Sequence, residues 1–344
     1  MIVKLFGADT SQLERMGTLM AQQTPGPVRH PLTGVATALA SAAAFATSGA
    51  FGKSLLIGGW SPGAVVMMRI SLAALVLLGP ALWSLRGRWP ALRRNGWLVV
   101  GYGLAGVAGC QLAYFNAVTH LSVGVALLLE YLAPVLIVGW LWARHGQRPR
   151  RLTTVGVGLA VAGLLLVLDV MHAGSVSAVG VMWGLGAAAC LVLYFLLADH
   201  VGDDLPPLAL AGGGLLVGAL SLGLAGWLGV LQMTRGAGRV SVGGAVVPWW
   251  MPVLVIALVA AAFAYVAGIA AVGLLGAKVA SFVALTEVLF AVVFAWLLLS
   301  ELPTLVQLVG GVLIVAGLVA VRVDESRRPV PHLDPVLARP VPAP

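Results

Sequence analysis

Charged side chains are scarce in this sequence of 344 residues, since Asp, Glu, Lys and Arg together make up only 9% of it. A soluble domain normally carries roughly 25%, so this chain lacks the groups needed to cover a water-facing surface. Apolar residues account for 60%, and the mean hydropathy is +1.02. These proportions exclude a soluble globular protein and indicate a membrane protein.

Cysteines and catalytic motifs are also scarce. The two cysteines, Cys110 and Cys190, both lie in apolar runs, which excludes a disulfide framework and favours small apolar residues at helix contacts. No His-x-x-Glu-His, Asp-x-x-Asp or Gly-x-Ser-x-Gly motif is present. The sequence therefore predicts no catalytic residue, no metal and no cofactor. An intramembrane enzyme, the alternative from another class, would need such a constellation.

Ten apolar segments are bounded by charged residues, prolines or turn residues. Each is long enough to cross the hydrocarbon core of a bilayer, where only a helix satisfies its own backbone. The segments lie near 32–53, 62–84, 97–118, 122–142, 152–169, 178–198, 206–231, 251–273, 278–299 and 303–321. The predicted fold is an all-α polytopic membrane protein with ten transmembrane helices.

The positive charges predict the orientation of these spans. Sixteen of the 20 Lys and Arg residues fall on the side of the two termini, three fall on the other side, and Arg69 lies within a span. Because cytoplasmic segments carry the excess of Lys and Arg, we expect residues 1–31 and 322–344 to be cytoplasmic tails. The net charge of +8 is then a topology signal in a plasma (cell inner) membrane protein, with no nucleic acid as partner.

The chain also resembles itself, which predicts two repeats over residues 32–169 and 178–321. Three pairs of segments match in the same order: Leu159–Leu164 with Leu313–Leu318, Val125–Glu130 with Phe282–Glu287, and Leu39–Ala43 with Leu185–Ala189. Each half has five spans, an odd number, so the second half is expected to insert upside down. Inverted repeats of this kind are typical of alternating-access transporters.

Two five-helix halves with a Glu in the fourth and ninth spans resemble the EamA-type carriers of the drug/metabolite transporter superfamily over about residues 32–322. Short motifs resemble the threonine/homoserine exporter branch: Pro62-Gly63 with Arg69, Glu130-Tyr131-Leu132-Ala133-Pro134, Glu301 with Pro303, and Gly310-Gly311. Val288 stands where that branch usually has a proline after the ninth-span Glu, so this source of a helix kink is missing. The resemblance implies a secondary transporter of amino acids or similar metabolites.

Three ionisable residues lie seven to nine residues inside spans: Arg69, Glu130 and Glu287. A charge at mid-bilayer costs roughly 2.5–3.5 kcal/mol, so such residues are functional candidates by default. Arg69 and Glu130 both lie roughly 10–12 Å below the outer boundary of the membrane. They are predicted to pair, either to orient the substrate or to hold two helices together as a fixed clamp. Glu287 has no charged partner that the sequence identifies. We expect it to exchange protons, the alternative being a neutral, hydrogen-bonded core residue.

Weaker candidates for substrate contact are the polar side chains Gln111, Tyr114, Tyr131 and Tyr265. Gln111 and Tyr114 share a helix face, whereas tyrosine rings within spans also serve in packing. Lys53, Lys278 and Glu301 lie at span ends, where reaching towards the interface explains them.

The sequence thus predicts a proton-coupled exporter whose partners are a small-molecule substrate, the lipid bilayer and protons. Efflux of lipophilic drugs and passive facilitation of metabolites are the alternatives within transport. We expect a monomer or a homodimer.

Overall fold

The structure is a computed structural model, and it describes residues 31–145, 151–168, 177–201 and 205–326. The predicted N-terminal tail, and the predicted C-terminal tail beyond Ser326, lie outside these residues.

Thirteen helices follow one another in the described residues. Those of the first half are α1 (Pro31–Ile57), α2 (Pro62–Ser84), α3 (Trp89–Arg94), α4 (Gly96–His120), α5 (Val123–Glu130), α6 (Ala133–His145) and α7 (Arg151–Val167). Those of the second half are α8 (Ala178–Val201), α9 (Pro207–Trp227), α10 (Trp250–Leu275), α11 (Ala277–Ala284), α12 (Thr286–Leu299) and α13 (Leu305–Ser326).

Nine helical stretches of the described residues are long and apolar enough to cross a membrane, with α5–α6 and α11–α12 each counted as one stretch. The predicted fifth span corresponds to α7, which is apolar but has only 17 residues. At 1.5 Å per residue it reaches about 26 Å, short of a hydrocarbon core of about 30 Å. Of the ten predicted spans, nine correspond to helical stretches of the described residues that are long enough to cross a membrane, and the fifth corresponds to a shorter helix.

Two irregularities recur in both halves. Helices α4 and α10 each contain a π-helical segment, at Tyr102–Gly109 and Val255–Phe263. The fourth and ninth spans are both interrupted, after Glu130 and at Leu285. Such segments break the regular hydrogen-bond ladder and are frequent at functional sites.

The two interruptions have different causes. Pro134, near the start of α6, has no N–H to donate to the preceding turn. The second has no proline, but the Thr286 hydroxyl donates to the Val283 carbonyl, and Leu285 N–H bonds to the Phe282 carbonyl three residues back. Side-chain competition for a backbone carbonyl can bend a helix. The ninth span is therefore interrupted even though Val288 stands where a proline was expected.

The helix contacts of the first half recur in the second. Helix α2 packs on its repeat equivalent α9, and α7 packs on α13. Helix α8, the first of the second half, packs on α4, α5 and α6 of the first half. Helix α1, the first of the first half, packs on the equivalent helices α10 and α12 of the second half. The halves are therefore interleaved, and the first helix of each packs on spans of the other.

Helices α7 and α13 meet at glycines that bring their backbones together. A Cβ added to Gly163 would lie 2.5 Å from the Gly310 carbonyl oxygen, and one added to Gly156 would lie 2.7 Å from that of Gly317. The order of these contacts shows that the two helices run antiparallel. Small residues permit this approach in lipid, where apolar area alone does not drive association.

The expectation of an all-α fold is wrong in one segment. Strands β1 (Arg239–Val242) and β2 (Ala245–Pro248) form an antiparallel hairpin between α9 and α10. Gly243 and Gly244 both have positive φ angles, of 58° and 79°, as a two-residue turn of this type requires. Two valine-containing segments on either side of Gly243-Gly244 were the sequence signal for the hairpin.

The last helix is longer than predicted. Helix α13 continues to Ser326, whereas its span was expected to end at 321 and a tail to begin at 322. Asp324 is buried and accepts a hydrogen bond of 2.5 Å from the Thr153 hydroxyl on α7. This contact lengthens the α7–α13 interface into the predicted tail.

We expect Gly163→Ala to destabilise the protein by about 1–3 kcal/mol, because the added methyl group overpacks the contact with the Gly310 carbonyl. Thermal unfolding in detergent should show a lower Tm. Gly158→Ala is the matched control, since that Cβ meets nothing within 4 Å on the same helix. Equal Tm values for the two variants would contradict backbone contact between α7 and α13.

Candidate substrate cavity

A cavity of about 330 Å³ lies between the two halves. All seven predicted site residues line it: Arg69, Gln111, Tyr114, Glu130, Tyr131, Tyr265 and Glu287. They come from spans that are far apart in the sequence, so the fold brings the set together. The cavity also has walls that the prediction did not include, among them Phe45, Ser48, Cys110, Tyr194 and Arg322.

Arg69 is the buried cation of this cavity, with only 3% of the residue exposed. Its guanidinium donates one hydrogen bond to the Gln111 side chain on α4 and another, of 3.0 Å, to the Ala260 carbonyl on α10. A buried charge is tolerated in such a place when polar groups satisfy it. Arg69 therefore joins α2 to both helices that carry π-helical segments.

The predicted direct pairing of Arg69 with Glu130 is wrong for this structure. No ion pair forms between these two side chains, whereas one does form between Lys53 and Glu301. The amide oxygen of Gln111 and the Ala260 carbonyl accept hydrogen bonds from the two terminal nitrogens of the guanidinium, so neutral acceptors take the place of a carboxylate. Glu130 nevertheless lines the same cavity as Arg69.

The π-helical segments explain why Gln111 and Tyr265 face the same space. Each residue is the second one after the end of its segment, since the segments end at Gly109 and Phe263. A π-helical turn pairs residues five apart, which rotates the following side chains and redirects carbonyls. The Ala260 carbonyl, which accepts from Arg69, lies within one of these segments.

The two cavity carboxyls lie beside the helix interruptions and have different partners. Glu130, the last residue of α5, accepts a hydrogen bond of 3.3 Å from the Cys110 thiol. Glu287, in the first turn of α12, accepts one of 2.7 Å from the Tyr131 hydroxyl. Tyr131 belongs to the first half and Glu287 to the second. A neutral side chain thus connects the two halves at the predicted proton carrier.

Two buried side-chain atoms of the described residues have no hydrogen-bond partner within the protein, Ser48 Oγ and Arg69 Nε. Both residues line the cavity. Because buried polar groups are nearly always hydrogen-bonded, a polar ligand or water in the cavity can supply these contacts.

The residues missed in the sequence follow a rule that can be stated. Tyr194 is 146 residues after Ser48, which is the offset between Leu39–Ala43 and Leu185–Ala189. The same offset relates Phe45 to Leu191 and Gly49 to Phe195, and all four of these residues line the cavity. Cys110 gave no such signal, because a thiol in an apolar run is most often a packing residue.

The cavity adjoins a second space of about 630 Å³ at one end. Phe45, Tyr194, Tyr265 and Glu287 line both spaces. The second space reaches Ala38, Pro207 and Gly273, near the start of α1, the start of α9 and the end of α10. We call this end of the molecule the tail face, because α1 begins there.

At the opposite end, which we call the hairpin face, contacts join the two halves. The Trp60 and Trp249 rings pack at a tilt with their centroids 5.1 Å apart, and the Ala237 N–H bonds to the Gly58 carbonyl at 2.8 Å. A space of about 590 Å³ that Leu121 and Glu301 help to line also lies at this end, but none of its lining residues lines the cavity. Lys53 and Glu301, expected to extend towards the membrane interface, instead form an ion pair there. The cavity is thus more open towards the tail face.

Long apolar helices around a cavity that contains buried charged side chains are typical of a multi-pass membrane transport protein. The EamA-like transporter family matches residues 32–169 and 178–323. The chain belongs to this family, and is a membrane transporter of the drug/metabolite superfamily, whose members are transporters and not enzymes.

A solved structure described as "Crystal structure of protein" has a similar fold, with a TM-score of 0.54 and 20% sequence identity. The similarity covers 83% of this chain and 95% of that chain. At this identity the likeness concerns the fold alone. No curated protein matches this chain.

We expect Arg69 to be energetically coupled to Gln111 more strongly than to Glu130. In a double-mutant cycle of Arg69→Met and Gln111→Leu, the losses in unfolding free energy should be non-additive by about 0.5–3 kcal/mol, because either single change leaves a buried partner unpaired. The cycle with Glu130→Gln should give a smaller coupling. Unfolding by denaturant in mixed micelles measures both cycles, and the reverse ranking would contradict the observed geometry.

Proposed function

We propose that this protein is a proton-coupled secondary transporter that exports amino acids or similar small metabolites by alternating access. The observation that carries the proposal is the cavity, which places a buried cation and two carboxyls between the halves of a membrane transporter. The resemblance of Arg69 and of the Glu130–Pro134 segment to the threonine/homoserine exporter branch supports the same substrate class.

The chemistry of the cavity suits a small zwitterion. Arg69 can attract a carboxylate, and Glu130 or Glu287 can attract an ammonium group. The unpartnered Ser48 Oγ and Arg69 Nε add hydrogen-bonding capacity. A volume of about 330 Å³ lies at the small end of ligand sites. These features favour a polar metabolite over a lipophilic drug, which would need a more uniformly apolar cavity.

The architecture supports alternating access. Equivalent helices pack antiparallel: Gly163 and Gly156 on α7 meet Gly310 and Gly317 on α13 in reverse order. This arrangement is the one expected if the second half is inverted relative to the first. Interrupted helices at the interface of inverted repeats hold the substrate site in many secondary transporters.

Glu287 is the proposed proton carrier. It lies in the cavity that Glu130 and Arg69 also line, and it bonds to Tyr131 of the other half. A carboxyl in contact with both halves can bind a proton in one state and release it in the other. We therefore assign proton exchange to Glu287 and substrate orientation to Arg69 with Glu130.

The topology proposal follows the positive charges. We place the protein in the plasma membrane with both termini in the cytoplasm and the hairpin face outside. It functions as a monomer or a homodimer, with substrate, protons and lipid as its partners.

The function is tested by reconstitution into proteoliposomes. We expect an acidic interior to drive accumulation of at least one labelled amino acid, because protons leaving the vesicle exchange for substrate entering it. Uptake that ignores the pH gradient would support a passive facilitator. Transport of lipophilic cations, together with no amino acid transport and tolerance of Arg69→Gln, would support drug efflux.

Glu287→Gln should uncouple transport from protons, because the amide can still accept from Tyr131 but cannot change its charge. We expect the variant to exchange substrate for substrate and to lose accumulation driven by the pH gradient. Asp324→Asn is the matched control, since it neutralises a buried carboxyl outside the cavity. Accumulation by Glu287→Gln with an unchanged pH profile would make Glu287 a structural residue.

A further inference from the structure

The ion pair on the hairpin face connects the two halves of the protein. Lys53 lies near the end of α1, in the first half, and Glu301 follows α12, in the second. Their side chains are 15% and 22% exposed, so solvent reaches the pair without surrounding it. An ion pair in such a place can both form and separate at modest cost.

Both partners also bond to the turn between α4 and α5. Lys53 Nζ donates to the Leu121 carbonyl at 2.7 Å, and the Val123 N–H donates to Glu301 Oε2 at 3.1 Å. A cation is favourable beside the carbonyls that end a helix, and a carboxylate is favourable beside the N–H groups that begin one. We call Lys53, Glu301 and the Leu121–Val123 turn the latch.

The backbone at the end of α12 places Glu301 in the latch. Ser300 adopts a left-handed conformation with φ of 57°, the Ser300 N–H bonds to the Trp296 carbonyl, and the Glu301 N–H bonds to that of Ala295. This is the hydrogen-bond pattern of a helix C-terminus that usually contains glycine. The carboxyl is thus held by a defined turn and not by a flexible loop.

Two helices join the latch to the cavity carboxyls. Helix α5 begins with Val123 in the latch and ends with Glu130 in the cavity, a distance of about 10 Å along its axis. Helix α12 begins beside Glu287 and ends one residue before Ser300. At the cavity end, each of these helices is bounded by the interruption of its span. Each can therefore tilt as a rigid segment.

We infer that the latch is the closed gate of the hairpin face, and that the Lys53–Glu301 pair separates when the cavity opens on that side. The inference rests on the proposed alternating-access function. When substrate or a proton binds in the cavity, movement of α5 displaces Val123 of the latch, and movement of α12 displaces Glu301. In the described state the latch is closed while the larger space adjoins the tail face.

Cys110 offers a native reporter of opening. It lines the cavity and is 2% exposed, and Cys190→Ala leaves it as the single thiol. A membrane-impermeant methanethiosulfonate reagent, which labels accessible thiols, is applied to right-side-out and to inverted vesicles, and the rate of Cys110 labelling is measured. Arg235→Cys in a chain with both native cysteines replaced by alanine identifies which medium the hairpin face meets.

We expect Lys53→Met and Glu301→Gln each to raise the rate of Cys110 labelling from the hairpin face about fivefold. The double variant should exceed the larger single effect only slightly, because both changes break the same interaction. Labelling from the tail face should fall in parallel, since a protein that opens on one side closes on the other. Arg235→Gln removes an exposed positive charge from the same face and should change neither rate.

The inference is overturned if the single variants leave the labelling rate unchanged, if Arg235→Gln raises it equally, or if labelling increases from both faces, which indicates general loosening. Labelling needs neither substrate nor a pH gradient. If the latch variants behave as expected while proteoliposomes transport no amino acid, the latch stands and the proposed function fails. If transport is established and labelling does not respond, only the latch fails.

Discussion

The burial of Arg69 is the interaction on which the candidate site depends. A guanidinium at this depth is tolerated only where several acceptors converge on it, and here they come from the Gln111 side chain and the Ala260 carbonyl. The carbonyl is available because α10 is π-helical at that point. The position of α2 against α4 and α10, and hence the width of the cavity, follows from satisfying this one cation.

Much of the site could be predicted because polar residues are so rare in this chain. The seven ionisable and polar side chains predicted as site residues all line one cavity. Their partners could not be predicted, since depth within a span does not tell which neighbour faces which. Depth alone therefore could not show that Arg69 bonds to Gln111 and not to Glu130. Lys53 and Glu301 are far apart in the sequence, and only helix packing brings them together.

The fold was predictable to the level of apolar helices, because a bilayer permits few other structures. Departures from regular helix were not. The π-helical segments and the break at Leu285 depend on small shifts in hydrogen bonding that apolar composition does not encode. The hairpin escapes prediction for a different reason: its two strands have only four residues each and lie in a segment too polar to span a membrane.

Arg69 has no equivalent in the second half, where the matching position falls around Gly213–Gly214. Two identical halves would contribute the same side chains to the cavity between them. Here the first half contributes a buried guanidinium at a position where the second half has glycine. The two sides of the cavity lining therefore differ in charge, and this asymmetry belongs to the protein itself and not to any substrate or ion.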